Sequence, residues 1–501
     1  MSAAGLLVAG TTSDAGKSLV TAAICRFLAR QGVSVAPFKS QNMSNNSMVC
    51  ADGAEIGRAQ WLQARAAGVA PEAAMNPVLL KPGSDRRSHV IALGKPFGTL
   101  DAGEYATGRA GLADIAFEAL ADLRTRFDVV VCEGAGSPAE INLRGGDYVN
   151  MGLAREAGLP VVVVGDIDRG GVLASMYGTL ALLAAEDQAL LAGWIVNKFR
   201  GDIGLLRPGL DTLERMTGRP VFGVLPWLDG VWIDSEDALA QAGWRGQLPV
   251  DGRALRVAVV RFPRASNATD VDALAAEPGV TVTLTADPDT VLAADIAVLP
   301  GSRATVDDLR WLRERGLADA VLARAAADAP VLGICGGYQM LTETIDDEYE
   351  SGAGTVDGLG LLPARVEFAP EKVLDTPRGQ WRGQDVAAYE IHHGRAVLTS
   401  GAGGVQAFLD GWRANSVWGT MWHGAFENDG FRRAWLAAAA AQAGIAWRPA
   451  EGAPGFAELR ESMLDRLADA VTDHLDTAAL LRLIKAGAPA DLPFISPGAP
   501  G

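Results

Sequence analysis

The sequence predicts an α/β protein built from two doubly wound parallel sheets in series, the first opening on a nucleotide-binding loop. Three observations lead there. Short, uninterrupted apolar runs alternate with Ala-rich amphipathic stretches, the pattern of parallel strands covered on both faces by crossover helices. The first run leads directly into GTTSDAGKS at residues 10 to 18. The rhythm then stops between about 227 and 254 and restarts.

Taken in order, GLLVAG is the first strand, and residues 18 to 31 form a helix carrying Leu19, Ile24 and Leu28. VSVAPF follows; a helix near 111 to 125 precedes FDVVVCEG; and LPVVVVGDI, LAGWIVNKF and PVFGVLP complete the series. Ligands of such sheets bind beyond the carboxyl ends of the strands, and the polar motifs fall there. WLDGVWIDSEDALAQAGWRGQLPVDGRA is acidic, rich in Gly and Trp, and weakly periodic, which marks a domain junction. The predicted units are therefore residues 1–228, a linker at 229–253 and a second domain at 254–449. LRVAVVRF, VTVTLT, DIAVLPGS and APVLGI are the strands of that second domain. Residues 450–501 form an extension, helical near 456 to 486, whose acidic pattern permits packing on the second domain or a subunit contact.

At 501 residues the chain exceeds one ordinary core, and 49% hydrophobic with 21% charged residues is a globular balance. A net charge of −16 argues against binding nucleic acid or an anionic membrane, both of which reward cationic surfaces. Small molecules are the expected partners, and the oligomeric state stays open. Cys25, Cys50, Cys132 and Cys335 lie far apart without C-x-x-C spacing, so neither a disulfide framework nor a zinc site is expected. A reducing cytoplasm fits. MSAAGLLVAG lacks a basic start and runs straight into the loop, so it is not read as a signal peptide. No uncharged apolar run reaches the roughly 18 residues of a membrane span.

The loop comprises Gly10, Thr11, Thr12, Ser13, Asp14, Ala15, Gly16, Lys17 and Ser18. A Gly-containing turn lets backbone N–H groups surround phosphate oxygens, Lys17 reaches the terminal phosphates of ATP, and the Ser18 hydroxyl can ligate Mg²⁺. Gly10 stands one residue further out than the usual G-x-x-x-x-G-K-[ST] pattern requires. Phosphoryl transfer also needs acidic metal ligands at neighbouring strand ends. Glu133 ends VVVCE; Asp52 and Glu55 in CADGAEIGRAQ, and Asp166 and Asp168 in VVVVGDIDRGG, are further candidates. A capping or solvated carboxylate explains any single acid about as well; for Glu133 and Asp166 function is favoured. Asn197, after the strand WIV, is placed to contact the base, with helix capping as the bland alternative. Lys81, Arg86, Arg87 and Lys95 form a basic cluster suited to a polycarboxylate or polyphosphate, unless they are a surface hairpin.

VLGICGGYQM at 331 to 340 reads as a strand, a sharp turn and a helix, and Gly333-Ile334-Cys335-Gly336-Gly337 is the cysteine counterpart of the G-x-S-x-G nucleophile elbow. The helix start aims N–H groups at Cys335, which favours thiolate over thiol. His423 in WHGAFEN is the candidate base. Tyr338 and Gln339 either shape a pocket or pack the helix.

These strings resemble the cobyric acid synthase family. GTTSDAGKS, APFKSQNMSNNS, DGAEIGRAQ, NPVLLKP, VVCEGAGSPAEINL, GDIDRGG, NKFRGD, LGICGGYQML and YEIHHG carry the likeness, which spans about residues 5 to 440. It implies a dethiobiotin-synthetase-like P-loop domain fused to a flavodoxin-like class I glutamine amidotransferase domain. It also implies ATP-dependent amidation of the b, d, e and g carboxylates of adenosylcobyrinic acid a,c-diamide. In that reading Ser18, Asp52 and Glu133 hold the metal, and Lys39, Gln41, Asn42, Lys81 and Asp166 meet substrate or phosphate. Cys335 attacks glutamine, His423 moves the protons, and N–H groups near Gly301 and Gly336 hold the oxyanion. Class I glutaminases usually carry a Glu two residues after the histidine; here that residue is Ala425, which predicts a Cys-His dyad or an orienting group from elsewhere, Glu427 being one option. QNMSNNS argues against the sibling cobyrinic acid a,c-diamide synthase, and Ala425 with the opening loop argues against CTP synthase. A partitioning-type ATPase switch carries a signature lysine where this chain has Thr11 and Thr12, and has no use for Cys335 and His423.

Overall fold

The computed structural model describes residues 4–82, 87–101, 110–231, 234, 244–246, 254–399 and 404–496. The first domain is organised by six parallel strands, Val35–Phe38, Val129–Glu133, Ala4–Gly10, Val161–Asp166, Leu191–Phe199 and Val221–Pro226, in that spatial order. The four valines 161 to 164 are fully buried, as expected of a strand covered on both faces. The first strand in sequence lies at the centre, with Val8 paired to Glu133 and Gly10 to Val164. The loop after Gly10 therefore leaves the sheet between the strands that end in Glu133 and Asp166.

A four-stranded sheet of Gln41–Met43, Val78–Pro82, Arg87–Ala92 and Lys95–Asp101 is added to this domain. Leu93 and Gly94, both at positive φ, form the two-residue turn that suits the twist of the last hairpin. The hairpin offered as the alternative for the Lys81 to Lys95 stretch is what forms, while the parallel pairing of Gln41–Met43 with Val78–Pro82 is not announced by the sequence pattern.

The main sheet of the second domain has eight strands among the described residues. Its five parallel members are Val280–Thr285, Leu255–Val260, Ile296–Leu299, Val331–Ile334 and Val417–Thr420, the 2-1-3-4-5 order of the flavodoxin type. Antiparallel Trp244–Gly246 extends one edge, and Gly411–Ala414 with Val405–Phe408 extends the other. Thr342–Asp347, Gly354–Asp357, Leu362–Asp375 and Glu390–Leu398 form a separate sheet.

The C-terminal helices pack mainly on the first domain, and the start of the first of them also meets the second, where the Phe456 N–H bonds to Asp429 at 2.9 Å and Arg460 to Glu427 at 2.8 Å. Phe456–His474 buries Phe456, Met463, Leu464, Leu467 and Val471 as one stripe and packs on Lys17–Arg30, while Thr477–Ala486 reaches the central strand. Arg26 pairs with Glu461 at 3.1 Å and with Asp465 at 2.9 Å along this seam. Among the described residues no helix is long and apolar enough to cross a membrane.

Candidate active sites

The phosphate loop is closed around its own lysine. Gly16 has φ 91°, a left-handed conformation that glycine adopts without strain, and starts the helix Lys17–Arg30. A Cβ at Gly10 would lie 2.9 Å from Lys17 Cγ, so this distal glycine makes room for the lysine stem. Lys17 Nζ donates to the Thr12 and Ser13 carbonyls at 2.7 and 3.1 Å, curled over the loop mouth. Asn197 Nδ2 donates to the Ala15 carbonyl at 2.9 Å, and Lys198 Nζ donates to the Asp14 carbonyl at 2.6 Å and to Asp166 at 2.9 Å. Asp166 thus braces the loop through Lys198 and does not stand as an independent substrate group. Asp14 faces Arg169 at 3.1 Å.

Glu133 is the centre of a buried cluster. Its Oε1 accepts from Ser18 Oγ and from Lys39 Nζ, both at 2.8 Å, and its Oε2 accepts from Gln63 Nε2 at 2.6 Å. Burial resists ionisation here, yet Lys39, Gln63 and Ser18 together hold the carboxyl below the usual range. The Ser18 hydroxyl and Glu133 carboxylate are hard oxygen donors beside a phosphate cradle, a donor set that fits Mg²⁺. Asp52 is not among them: it lies in an exposed hairpin turn and accepts the Ala54 N–H at 3.0 Å. Glu55 is the buried acid of that segment, paired with Lys81 and, across the domain boundary, with Lys372. Lys81 is therefore held inside the protein, where burial foremost lowers its pKa to about 7, and the expected open basic cluster does not form around it. Arg86 and the Arg87 side chain lie outside the described residues.

Cys335 occupies a sharp elbow between Val331–Ile334 and the short helix Gly336–Leu341. Its backbone, φ 48° and ψ −110°, is one that a side-chain-bearing residue adopts only when the surroundings hold it. Cys335 N–H bonds to the Thr420 carbonyl at 2.8 Å, and Gly337 N–H to the Pro300 carbonyl at 3.0 Å. Each neighbouring glycine is a packing requirement. An added Cβ would lie 2.7 Å from Tyr338 N at Gly333, 2.7 Å from Ser302 N at Gly336, and 2.0 Å from the Leu299 carbonyl oxygen at Gly337. Gly301 and Gly336 are thereby brought together beside the thiol. Gly337→Ala is expected to lower the melting temperature on the order of 5 °C and to abolish glutamine hydrolysis, because that contact is with backbone and cannot relax cheaply. Thermal unfolding and a glutaminase assay check this.

His423 leaves the neighbouring strand, where Ile334 pairs with Thr420. Its Nδ1 bonds to Asp270 Oδ2 at 2.7 Å, and the other Asp270 oxygen accepts the Gly424 N–H at 2.7 Å. Tyr389 stacks on the imidazole at 5.3 Å. His423 Nε2 makes no ordinary hydrogen bond among the described residues and has Cys335 as its electrostatic neighbour. Burial opposes a charged imidazole, but Asp270 and Cys335 outweigh it and raise His423 from 6.5 to about 10. Cys335, His423 and Asp270 stand in the order of a Cys-His-Asp triad. The orienting group expected from elsewhere is Asp270, whereas Glu427 is engaged by Arg58 and Arg460.

The comparisons with known proteins agree with this geometry. Residues 6–239 match a family described as "CobQ/CobB/MinD/ParA nucleotide binding domain", and residues 256–431 match "CobB/CobQ-like glutamine amidotransferase domain". The cobyric acid synthase of Cutibacterium acnes is 61% identical over 96% of this chain and 100% of its own length. That of Streptomyces avermitilis is 60% identical over 99% of each. The chain belongs to the cobyric acid synthase family.

Three clefts complete the sites of this cobyric acid synthase family member. One of about 460 Å³ holds Cys335, Gln339, Arg303 and His392 from the second domain together with Asn45 and Lys81 from the first. Tyr338, by contrast, is core. A cleft of about 950 Å³ beside Ser13 is lined by Gln41, Leu143, Arg144 and Asn150. Asn42 points elsewhere, donating to Gln60 at 3.0 Å. A third, apolar cleft of about 630 Å³ runs from Leu19 and Asn197 past Trp227 to Leu467 of the C-terminal helix. Asp270, Gln63 and Lys372 escaped the sequence reading because each meets its partner across a long stretch of chain, 153 residues for Asp270 and His423.

Proposed function

We propose that the chain makes amides on a corrinoid polycarboxylate, using ATP to activate each acid and glutamine as the nitrogen source. The single observation that carries this is that one cleft contains both the Cys335 nucleophile and the buried Lys81 of the phosphate-loop domain. The domain division proposed is 1–228, 229–253, 254–449 and 450–501. The acceptor proposed is adenosylcobyrinic acid a,c-diamide, amidated at its b, d, e and g carboxylates; the cleft beside Ser13, lined by Gln41, Leu143 and Asn150, is where it is proposed to sit. The apolar cleft between Leu19 and Leu467 suits the adenine.

A carboxylate cannot expel oxide, so its oxygen first attacks the γ-phosphorus of ATP, releasing ADP and leaving an acyl phosphate. Lys17 exchanges the Thr12 and Ser13 carbonyls for phosphate oxygens in this step. Mg²⁺, held by Ser18 and Glu133, supplies charge neutralisation on the phosphates when bound. In the other domain the Cys335 thiolate attacks the glutamine carbonyl, and N–H groups near Gly336 and Gly301 hold the oxyanion. The His423 imidazolium gives its proton to the departing ammonia. The neutral ring then takes a proton from the water that cleaves the thioester, releasing glutamate. Ammonia attacks the acyl phosphate, expelling phosphate and forming the amide.

The test is incubation with ATP, Mg²⁺, glutamine and the a,c-diamide, with product masses followed over time. Four successive conversions of acid to amide are expected; no mass change under active conditions would reject the reading, and conversion of the a and c acids of the parent compound instead would identify the sibling reaction.

A further inference from the structure

Arg58–Ala67 is a ten-residue helix that touches the phosphate site at one end and a charge cluster beside the His423 segment at the other. At one end Gln63 Nε2 donates to Glu133 Oε2 at 2.6 Å and to the Ser18 carbonyl at 3.2 Å. At the other, buried Arg58 donates to Asp234 Oδ1 at 2.8 Å and to Glu427 Oε1 at 2.6 Å. Five residues, about 7.5 Å of helix rise, separate the two ends.

The Arg58 end is part of a four-charge cluster in which Arg58, Asp234 and Arg460 are buried and Glu427 is partly exposed. Arg460 of the C-terminal helix bonds the second oxygen of Asp234 and reaches Glu427 Oε2 at 2.8 Å. Trp61, on the same helix, lies under both guanidinium groups, at 4.7 Å from Arg58 and 5.0 Å from Arg460. Each of the four charges comes from a different part of the chain, and two cations meet two anions. Removing one partner leaves the others buried and uncompensated, so the cluster has one well-satisfied arrangement.

That arrangement bears on the glutaminase triad by three routes. Glu427 ends the turn Ala425–Glu427, which begins directly after Gly424, whose N–H is held by Asp270. The backbone N–H of Asp234 donates to Asp272 at 3.1 Å, two residues from Asp270. The Arg58 N–H bonds to the Asn46 carbonyl at 3.0 Å, and the Asn46 side chain accepts the Ala268 N–H at 3.3 Å, at the start of the segment that carries Asp270. Arg58 is thus tied to the two segments that flank the base, the turn Ala268–Val271 through Asn46 and the turn Ala425–Glu427 through Glu427.

We propose that Arg58 and Glu427 are positioning residues for the His423–Asp270 pair, and that the helix Arg58–Ala67 couples this pair to occupancy of the phosphate site through Gln63. A nucleotide and metal at Ser18 and Glu133 would compete for the Glu133 carboxylate, whose Oε1 now accepts from Ser18 and Lys39 and whose Oε2 accepts from Gln63. The helix transmits the change because it is rigid and anchored at both ends. The coupling is a free energy between two sites and must act in both directions. This inference rests on the amidotransferase reading above.

The test uses the full-length enzyme, the non-hydrolysable β,γ-imido analogue of ATP with Mg²⁺, and 6-diazo-5-oxo-L-norleucine, a glutamine analogue that alkylates a glutaminase thiol. In the wild type the nucleotide analogue is expected to accelerate alkylation of Cys335 by about fivefold or more, and prior alkylation to tighten nucleotide binding, the rate factor and the affinity factor not being required to match. In Glu427→Gln the acceleration should vanish and the glutaminase kcat should fall about tenfold at nearly constant KM, while ammonia-driven amidation persists. A wild type with no response in either direction overturns the proposal, as does a Glu427→Gln enzyme that keeps the response. If Glu427→Gln does not fold, the two wild-type measurements decide alone. Failure of ammonia-driven amidation in the folded wild type would instead reject the reading on which the proposal rests.

Discussion

Cys335→Ala is expected to reduce glutamine-driven amidation by at least about 10⁴-fold, because removing a covalent nucleophile eliminates the route through the thioester. The same variant should retain amidation driven by high concentrations of ammonia. The phosphate loop, Glu133 and the 950 Å³ cleft belong to the other domain and owe nothing to the thiol. Lys17→Ala should lose both activities, since the acyl phosphate is needed whatever the source of nitrogen. The two variants, each assayed with glutamine and with ammonia, separate the roles. A Cys335→Ala enzyme that folds normally but fails with ammonia would show that the division of labour is wrong.

Asp270→Asn is the second large effect. It is expected to lower glutamine-driven turnover by about 10⁴-fold, the loss found when the carboxylate of a serine-protease triad becomes an amide. Asparagine preserves shape but cannot stabilise the imidazolium, and its NH₂ group favours the wrong tautomer. The effect has a pH signature. Burial alone would depress His423; Asp270 and Cys335 raise it to about 10 instead. A histidine whose folded pKa exceeds its unfolded value of 6.5 stabilises the fold fully below pH 6.5, and the contribution is lost as pH rises toward 10. The gap in melting temperature between wild type and Asp270→Asn should therefore narrow across that interval. A gap independent of pH would show that His423 is not charged in the resting enzyme.

Much of this was legible in the sequence, for identifiable reasons. The P-loop, the elbow and the strands are local patterns, each decided within about ten residues by glycine placement and apolar runs. His423 was legible as the candidate base for an elbow cysteine, downstream of Cys335 in WHGAFEN. Asp52 was misplaced because a carboxylate's neighbours in sequence do not tell whether its hairpin faces the nucleotide or the solvent. Lys81 was read as part of an open basic patch because Glu55 and Lys372, its buried neighbours, come from other segments.

The sequence by itself determined the two α/β sheets, the phosphate loop with Ser18 and Glu133, and the pairing of Cys335 with His423, because each is written in local spacing or a family string. Only the tertiary structure decided that Asp270 completes the triad, that Glu427 serves the domain boundary, and that the C-terminal helix Phe456–His474 packs mainly on the first domain. The physical reason is the same in all three cases. A carboxylate or an apolar stripe takes its meaning from what is buried against it, and those partners lie 153 residues away for Asp270, 369 for Glu427 and 439 for Asp465.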